Sequence, residues 1–225
     1  MRFDARARDL VRWACLALML ALAVWAHSAG SLDSLQASFL QRWGAVAQPK
    51  YEGWRRLVQG LADSQDAERI KRINAFFNQQ VQFGEDTAVW GQSDYWATPW
   101  ETLGRAAGDC EDFAIAKYFT LLQVGVSPER LRLIYVRAKT GTSDATQAHM
   151  VLAYYSAPDA EPLVMDNLIG DIRPASRRPD LVPVFSFNSA GVFAGMAGGG
   201  VAAGGTGRLS RWEDLLRRAK AEGFD

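Results

Sequence analysis

"GDCEDFAIAKY", residues 108–118, sets one cysteine among three carboxylates at the start of an apolar stretch. From Cys110 to Gln123 the apolar Phe113, Ala114, Ala116, Tyr118, Leu121 and Leu122 leave little polar face. That pattern predicts a central helix buried on most sides, and such a helix needs further layers around it. Gly125 closes the helix and "VSPER" reads as a turn.

Downstream, "LRLIYVRA" (131–138), "AHMVLAYY" (148–155), "PLVMDNL" (162–168) and "LVPVFSFN" (181–188) are rich in Val, Ile, Leu and aromatic residues and read as strands. The second and third are joined by "SAPDAE", a hairpin-length connection. Upstream, residues 31–83 carry apolar side chains at spacings of three and four, as in Leu32, Leu35, Phe39 and Trp43, which predicts helices. Between them, "DTAVWGQSDYWATPWETLGRAAG" (86–108) has Pro99 and three Trp and reads as a packed loop, walling a cleft or filling the core. Helices, a central helix and then an antiparallel sheet give an α+β fold.

The amino end reads as an export signal. Arg2, Arg6, Arg8 and Arg12 precede the uncharged "WACLALMLALAVWA" (13–26), and "AHS" (26–28) resembles a cleavage site. The alternative is an uncleaved inner-membrane anchor, although the run is shorter than the roughly 20 residues that span a bilayer. Either way the rest of the chain is expected outside the cytoplasm, in the periplasm. The expected organisation is a signal or anchor over 1–28, one domain over 29–190, a Gly-rich linker over 191–207 and an amphipathic helix over 208–225. Ser210 and Glu213 fit the S-x-x-E capping box of that last helix.

The chain has 25 basic and 25 acidic residues, so it lacks the basic surplus of a nucleic-acid binder. It has two cysteines and two histidines. Cleavage near Ser28 leaves only Cys110 and His149, which excludes an intramolecular disulfide and a zinc site of several Cys and His. The plain alternative for Cys110 is a small buried hydrophobe.

A thiol at a helix start, an imidazole and an orienting carboxylate are the parts of a cysteine hydrolase. Cys110 stands where a helix should begin. His149 stands in a strand far along the chain, within reach only through the tertiary fold. Asp166 interrupts the apolar "LVMDNL", and a buried carboxylate needs a partner. Pairing His149 opposite Asp166 centres the hairpin between Ala157 and Pro158, inside "SAPDAE". The competing readings are a structural histidine and a solvent-facing Asp at a strand end.

With these residues in view, "ATPWETLGRAAGDCEDFAIAKYFTLLQVGV", "AHMVLAYY", "PLVMDNL" and "VPVFSFN" resemble the bacterial transglutaminase-like cysteine proteinases, the LapG family of periplasmic proteases. The resemblance covers about residues 37–191 and "RLSRW" near the end; the Gly-rich stretch shows no family pattern. It implies a papain-like α+β fold with a triad of Cys110, His149 and Asp166. It further implies a calcium-dependent endopeptidase that cuts a large surface adhesin near its amino end and releases biofilm cells. An inner-membrane receptor that senses cyclic di-GMP would hold it inactive.

The acidic neighbours then acquire a purpose. Asp109 as N-cap with Glu111 and Asp112 in the first turn suits a helix dipole, yet three carboxylates disfavour a thiolate. A bound Ca2+ would reverse the local sign, so Asp109, Glu111 and Asp112 are the candidate metal ligands. Two other activities fit the same residues: acyl transfer to an amine, as in transglutaminases, and a non-catalytic binding module on this fold.

Overall fold

The computed structural model describes residues 32–139, 145–196 and 210–224. The export segment expected over 1–28 and residues 197–209 lie outside them. No helix among the described residues is long and apolar enough to cross a membrane.

Helices α1 (32–43), α2 (Gln48–Gln59) and α3 (Asp66–Gln80) form the first layer. A two-residue strand β1 (Gln82–Phe83), helices α4 (Asp86–Val89) and α5 (Pro99–Arg105), and strand β2 (Ala107–Gly108) lead into α6 (Cys110–Gln123). Residues Asp112 to Leu121 of α6 are all buried, as expected of a central helix. It packs against α3, α5 and the sheet. Trp54, Tyr51, Phe39 and Trp100 form an aromatic cluster beside it, and Trp54 Nε1 donates to Thr120 Oγ1 at 3.0 Å.

The sheet follows: β3 (Leu131–Lys139), β4 (Thr146–Tyr154), β5 (Leu163–Met165), β6 (Arg173–Pro174), β7 (Leu181–Asn188) and β8 (Gly191–Ala194). Its order is β6-β5-β4-β3-β7-β8, antiparallel throughout. Alternation divides it into two faces. Leu131, Leu133, Met150 and Leu152 join the main core with α6, while Ile134, Val136, Val151 and Ala153 build a smaller cluster. The α+β architecture is the one expected.

Three local expectations change. The stretch 86–108 is not only loop: Thr98 caps α5, with Glu101 N donating to Thr98 Oγ1 at 3.2 Å and Thr98 N to Glu101 Oε2 at 2.8 Å. Pro99 is therefore an N1 proline rather than a loop marker. Strand β5 stops at Met165 because Asp166 begins a turn, its Oδ1 accepting from Leu168 N at 3.0 Å. The start of the linker expected over 191–207 is strand instead, since Gly191–Ala194 pairs with β7 as β8.

The last helix, α7 (Ser210–Ala221), docks on the core through Trp212, Leu215 and Ala219. Arg218 fastens it, donating to Glu101 Oε2 and to the Trp96 carbonyl, each at 2.6 Å.

Candidate active site and acidic cluster

Cys110 is the first residue of α6, with Asp109 as N-cap in extended backbone; the Asp109 side chain makes no capping bond. The Cys110 thiol donates to Glu111 Oε2 at 3.0 Å and is also met by the Met150 backbone amide. Met150 follows His149 on β4, so the strand that carries the imidazole also touches the thiol. Both side chains line one cleft of about 660 Å³, walled by Trp96, Tyr135 and Phe185. Tyr135 and Phe185 stack at 5.4 Å between ring centroids.

His149 is 3% exposed, and its Nε2 lies 2.8 Å from Asp166 Oδ1. The register differs from the expected one. Leu152 opposes Met165, so continuing the ladder puts Asp166 opposite Val151 rather than His149. The shift is two residues, which keeps both side chains on one face and makes them diagonal neighbours. A slip of one would have separated them.

Asp166 is 1% exposed and held from all sides. Its carbonyl accepts from Asn78 Nδ2 at 2.8 Å and from Lys117 Nζ at 3.3 Å. Its Oδ2 lies 2.7 Å from Arg178 Nη2. Burial alone would raise the Asp166 pKa, but His149, Arg178 and the Leu168 amide outweigh it and hold the group at about 2. Lys117, itself 1% exposed, is pushed down to about 7 by burial, against the opposing pull of Asp166.

The thiol has the opposite surroundings. Burial, then Glu111 and Asp109, push its pKa up, and the Met150 amide offsets only part of this. Those surroundings favour the thiol, whereas the thiolate is the nucleophilic form.

Beside the thiol stand carboxylates that could hold a cation. Carboxylate oxygens of Asp86, Asp109 and Asp112 lie within 4.8 Å of one another. Asp109, Cys110 and Glu111 form a second set within the same limit. Two-residue parallel pairing brings the cluster together: Gln82 opposes Ala107 and Phe83 opposes Gly108, so the chain just beyond each strand converges. Asp86 Oδ2 accepts from Tyr95 N at 2.5 Å and Asp112 Oδ1 from Ala97 N at 2.7 Å. Gly108 permits the approach, because a Cβ there would lie 2.5 Å from Asp112 Oδ2.

Asp86 Oδ1 and Asp109 Oδ1 are buried without a hydrogen-bond partner among the described residues. Burial and then neighbouring like charges raise Asp109 to about 9 and Asp112 well above its ordinary value. Asp86 rises to about 6, where burial and Glu111 outweigh the Tyr95 amide. Three converging carboxylates, two of them with an orphaned oxygen, fit a hard dication, whose ligands are oxygens and whose charge removes the repulsion.

Of the metal ligands expected from the sequence, Asp109 and Asp112 stand together in this cluster. Glu111 turns toward the thiol instead. Asp86 was missed, since no local pattern ties it to residues more than 20 positions on. Arg178 was missed as well, being one of two adjacent arginines in a turn.

A sequence model described as bacterial transglutaminase-like cysteine proteinase BTLCP matches residues 54–179. Among solved structures, Legionella pneumophila LapG is similar at 35% identity and a TM-score of 0.71, over 84% of this chain and 95% of that one. Its EGTA-treated form gives 35% and 0.72, over 84% and 97%. Its calcium-bound form gives 36% and 0.72, over 83% and 98%. No curated protein matches the chain significantly.

Proposed function

From the chain's membership of the bacterial transglutaminase-like cysteine proteinases, we propose that it is a calcium-dependent cysteine endopeptidase with Cys110 as nucleophile, His149 as base and Asp166 as orienting group. The observation that carries this is a buried His149–Asp166 pair whose histidine lines the same cleft as a thiol at a helix start. With Nε2 committed to Asp166, the imidazole has Nδ1 left to take the thiol proton. The sulfur attacks a peptide carbonyl, the Cys110 backbone N–H stabilises the oxyanion, and His149 passes the proton to the leaving amine. Water then hydrolyses the thioester, with His149 again accepting the proton. The cleft, about 660 Å³ and walled by aromatic rings, supports a polypeptide substrate.

Asp86, Asp109 and Asp112, with Glu111 beside them, would hold the calcium ion. When bound it supplies the positive charge that lowers the cost of a thiolate at Cys110. The existence of a calcium-bound Legionella LapG structure and the orphaned oxygens here support this assignment.

The likeness to LapG also supports the biological reading. The substrate is the amino-terminal region of a large surface adhesin, whose release disperses a biofilm. An inner-membrane receptor for cyclic di-GMP restrains the enzyme. The amino-terminal Arg-rich and apolar run supports export to the periplasm, by a cleaved signal or as an anchor.

The test is to incubate the protein with surface-protein fragments, with and without calcium, and to sequence new amino termini. One discrete new terminus, lost in EGTA and in Cys110→Ala, is expected. Cleavage by Cys110→Ala at the wild-type rate would refute the reading, and an isopeptide-linked product would indicate acyl transfer instead.

A further inference from the structure

Asp166 lies one residue beyond the last ladder pair of β5, so sheet hydrogen bonds do not fix its backbone. Its carboxylate is aimed by the Leu168 amide on Oδ1 and by two side chains, of which Arg178 alone holds Oδ2. That side chain is 1% exposed, and its Nη2 meets Asp166 Oδ2 at 2.7 Å while His149 takes Oδ1. Each oxygen of the carboxylate thus has its own partner, which fixes rotation about the Cβ–Cγ bond.

Arg178 is held in turn by Asp180, whose oxygens take Nε at 3.0 and 3.2 Å and Nη2 at 2.7 Å. Every side-chain hydrogen bond of Arg178 among the described residues goes to these two carboxylates, and Nη1 has no partner. Among the described residues the guanidinium therefore ties no other segment together. Lys117, the other buried cation at this point, reaches the Asp166 carbonyl and not its carboxylate.

We infer that Arg178 is a positioning residue of the catalytic group, which locks the Asp166 carboxylate so that His149 presents its other ring nitrogen to the Cys110 thiol. The inference rests on the endopeptidase reading above. The chain runs Asp180, Arg178, Asp166, His149, with the outermost carboxylate partly open to solvent at 30% and the inner groups buried. An arginine suits the place better than a lysine, because only the planar fork serves two carboxylates along one edge.

The experiment uses the full chain with calcium present and the protein fragment that the wild type cleaves. Misaiming of a catalytic group by about an ångström costs roughly 10²-fold. Arg178→Ala is therefore expected to lose about 100-fold in kcat with KM little changed. Millimolar guanidinium, which fits the vacated space, should restore at least about tenfold, while ethylammonium should not. Wild-type kcat in folded Arg178→Ala, or a loss that guanidinium leaves in place, overturns the inference. Should Arg178→Ala fail to fold, Arg178→Lys decides: lowered kcat at unchanged KM supports the role, and wild-type kcat overturns it. A wild-type chain that cleaves nothing, or an active Cys110→Ala, defeats the endopeptidase reading instead.

Discussion

Replacing Asp166 by Asn tests the electrostatics of the site without changing its shape. In the folded protein the Asp166 carboxyl titrates at about 2 instead of its ordinary 3.8. Each unit of such a difference is worth about 1.4 kcal/mol, so the ionised group stabilises the fold by about 2 kcal/mol at neutral pH. The folded value is the depressed one. The stabilisation is therefore complete above the unfolded value, near 4, and is lost as pH falls through about 2. Asn keeps one acceptor but cannot ionise, and it leaves Arg178 buried against a neutral partner. The stability difference between wild type and Asp166→Asn should shrink by about 2 kcal/mol between pH 5 and pH 2. In a protein of this size that corresponds to a difference in melting temperature of roughly 4–8 °C that fades with acid. Urea unfolding or calorimetry at intervals of pH measures it. A difference that stays constant down to pH 2 would refute the assignment of Asp166 as an ionised, charge-stabilised group.

Other perturbations probe other parts of the molecule. Chelation by EGTA should lower the melting temperature and abolish cleavage, with calcium restoring both and magnesium restoring neither; Asp112→Asn should blunt the thermal response, and a chelator with no effect would count against the metal site. Trp54→Ala removes the centre of the aromatic cluster and its bond to Thr120, and should cost about 3–5 kcal/mol in urea unfolding. Arg218→Ala should loosen α7 from Trp96 and Glu101, which hydrogen exchange over 210–224 would register as lost protection.

The sequence and the structure agree best where burial is dense and local. The central helix runs from Cys110 to Gln123 as the apolar run implied, and β7 covers the expected 181–188. The His149–Asp166 partnership was legible because strand parity tolerates a register error of two, even though the ladder is offset from the one inferred. Strand β8 was hidden by composition: Val192 and Phe193 sit in a Gly- and Ala-rich window that averages to linker. Helix α5 carries its own signal, Thr98 and Glu101 three apart around Pro99, but Pro99 among three Trp gives the stretch the composition of a packed loop. Asp86 and Arg178 left no such trace. The first reaches Asp109 and Asp112 through a two-residue parallel pairing, and the second differs from Arg177 only in which way the turn faces it. Neither fact has a periodicity to be read.

The central claim is that a thiol ringed by carboxylates becomes a nucleophile through His149 and a cation in the acidic cluster. The most direct measurement is the rate at which iodoacetamide alkylates Cys110 at pH 7, followed by mass spectrometry of its peptide, in calcium and in EGTA. The account predicts fast modification in calcium, slow modification in EGTA, and slow modification of His149→Ala in both. Equal rates with and without calcium, or undiminished reactivity in His149→Ala, would contradict it.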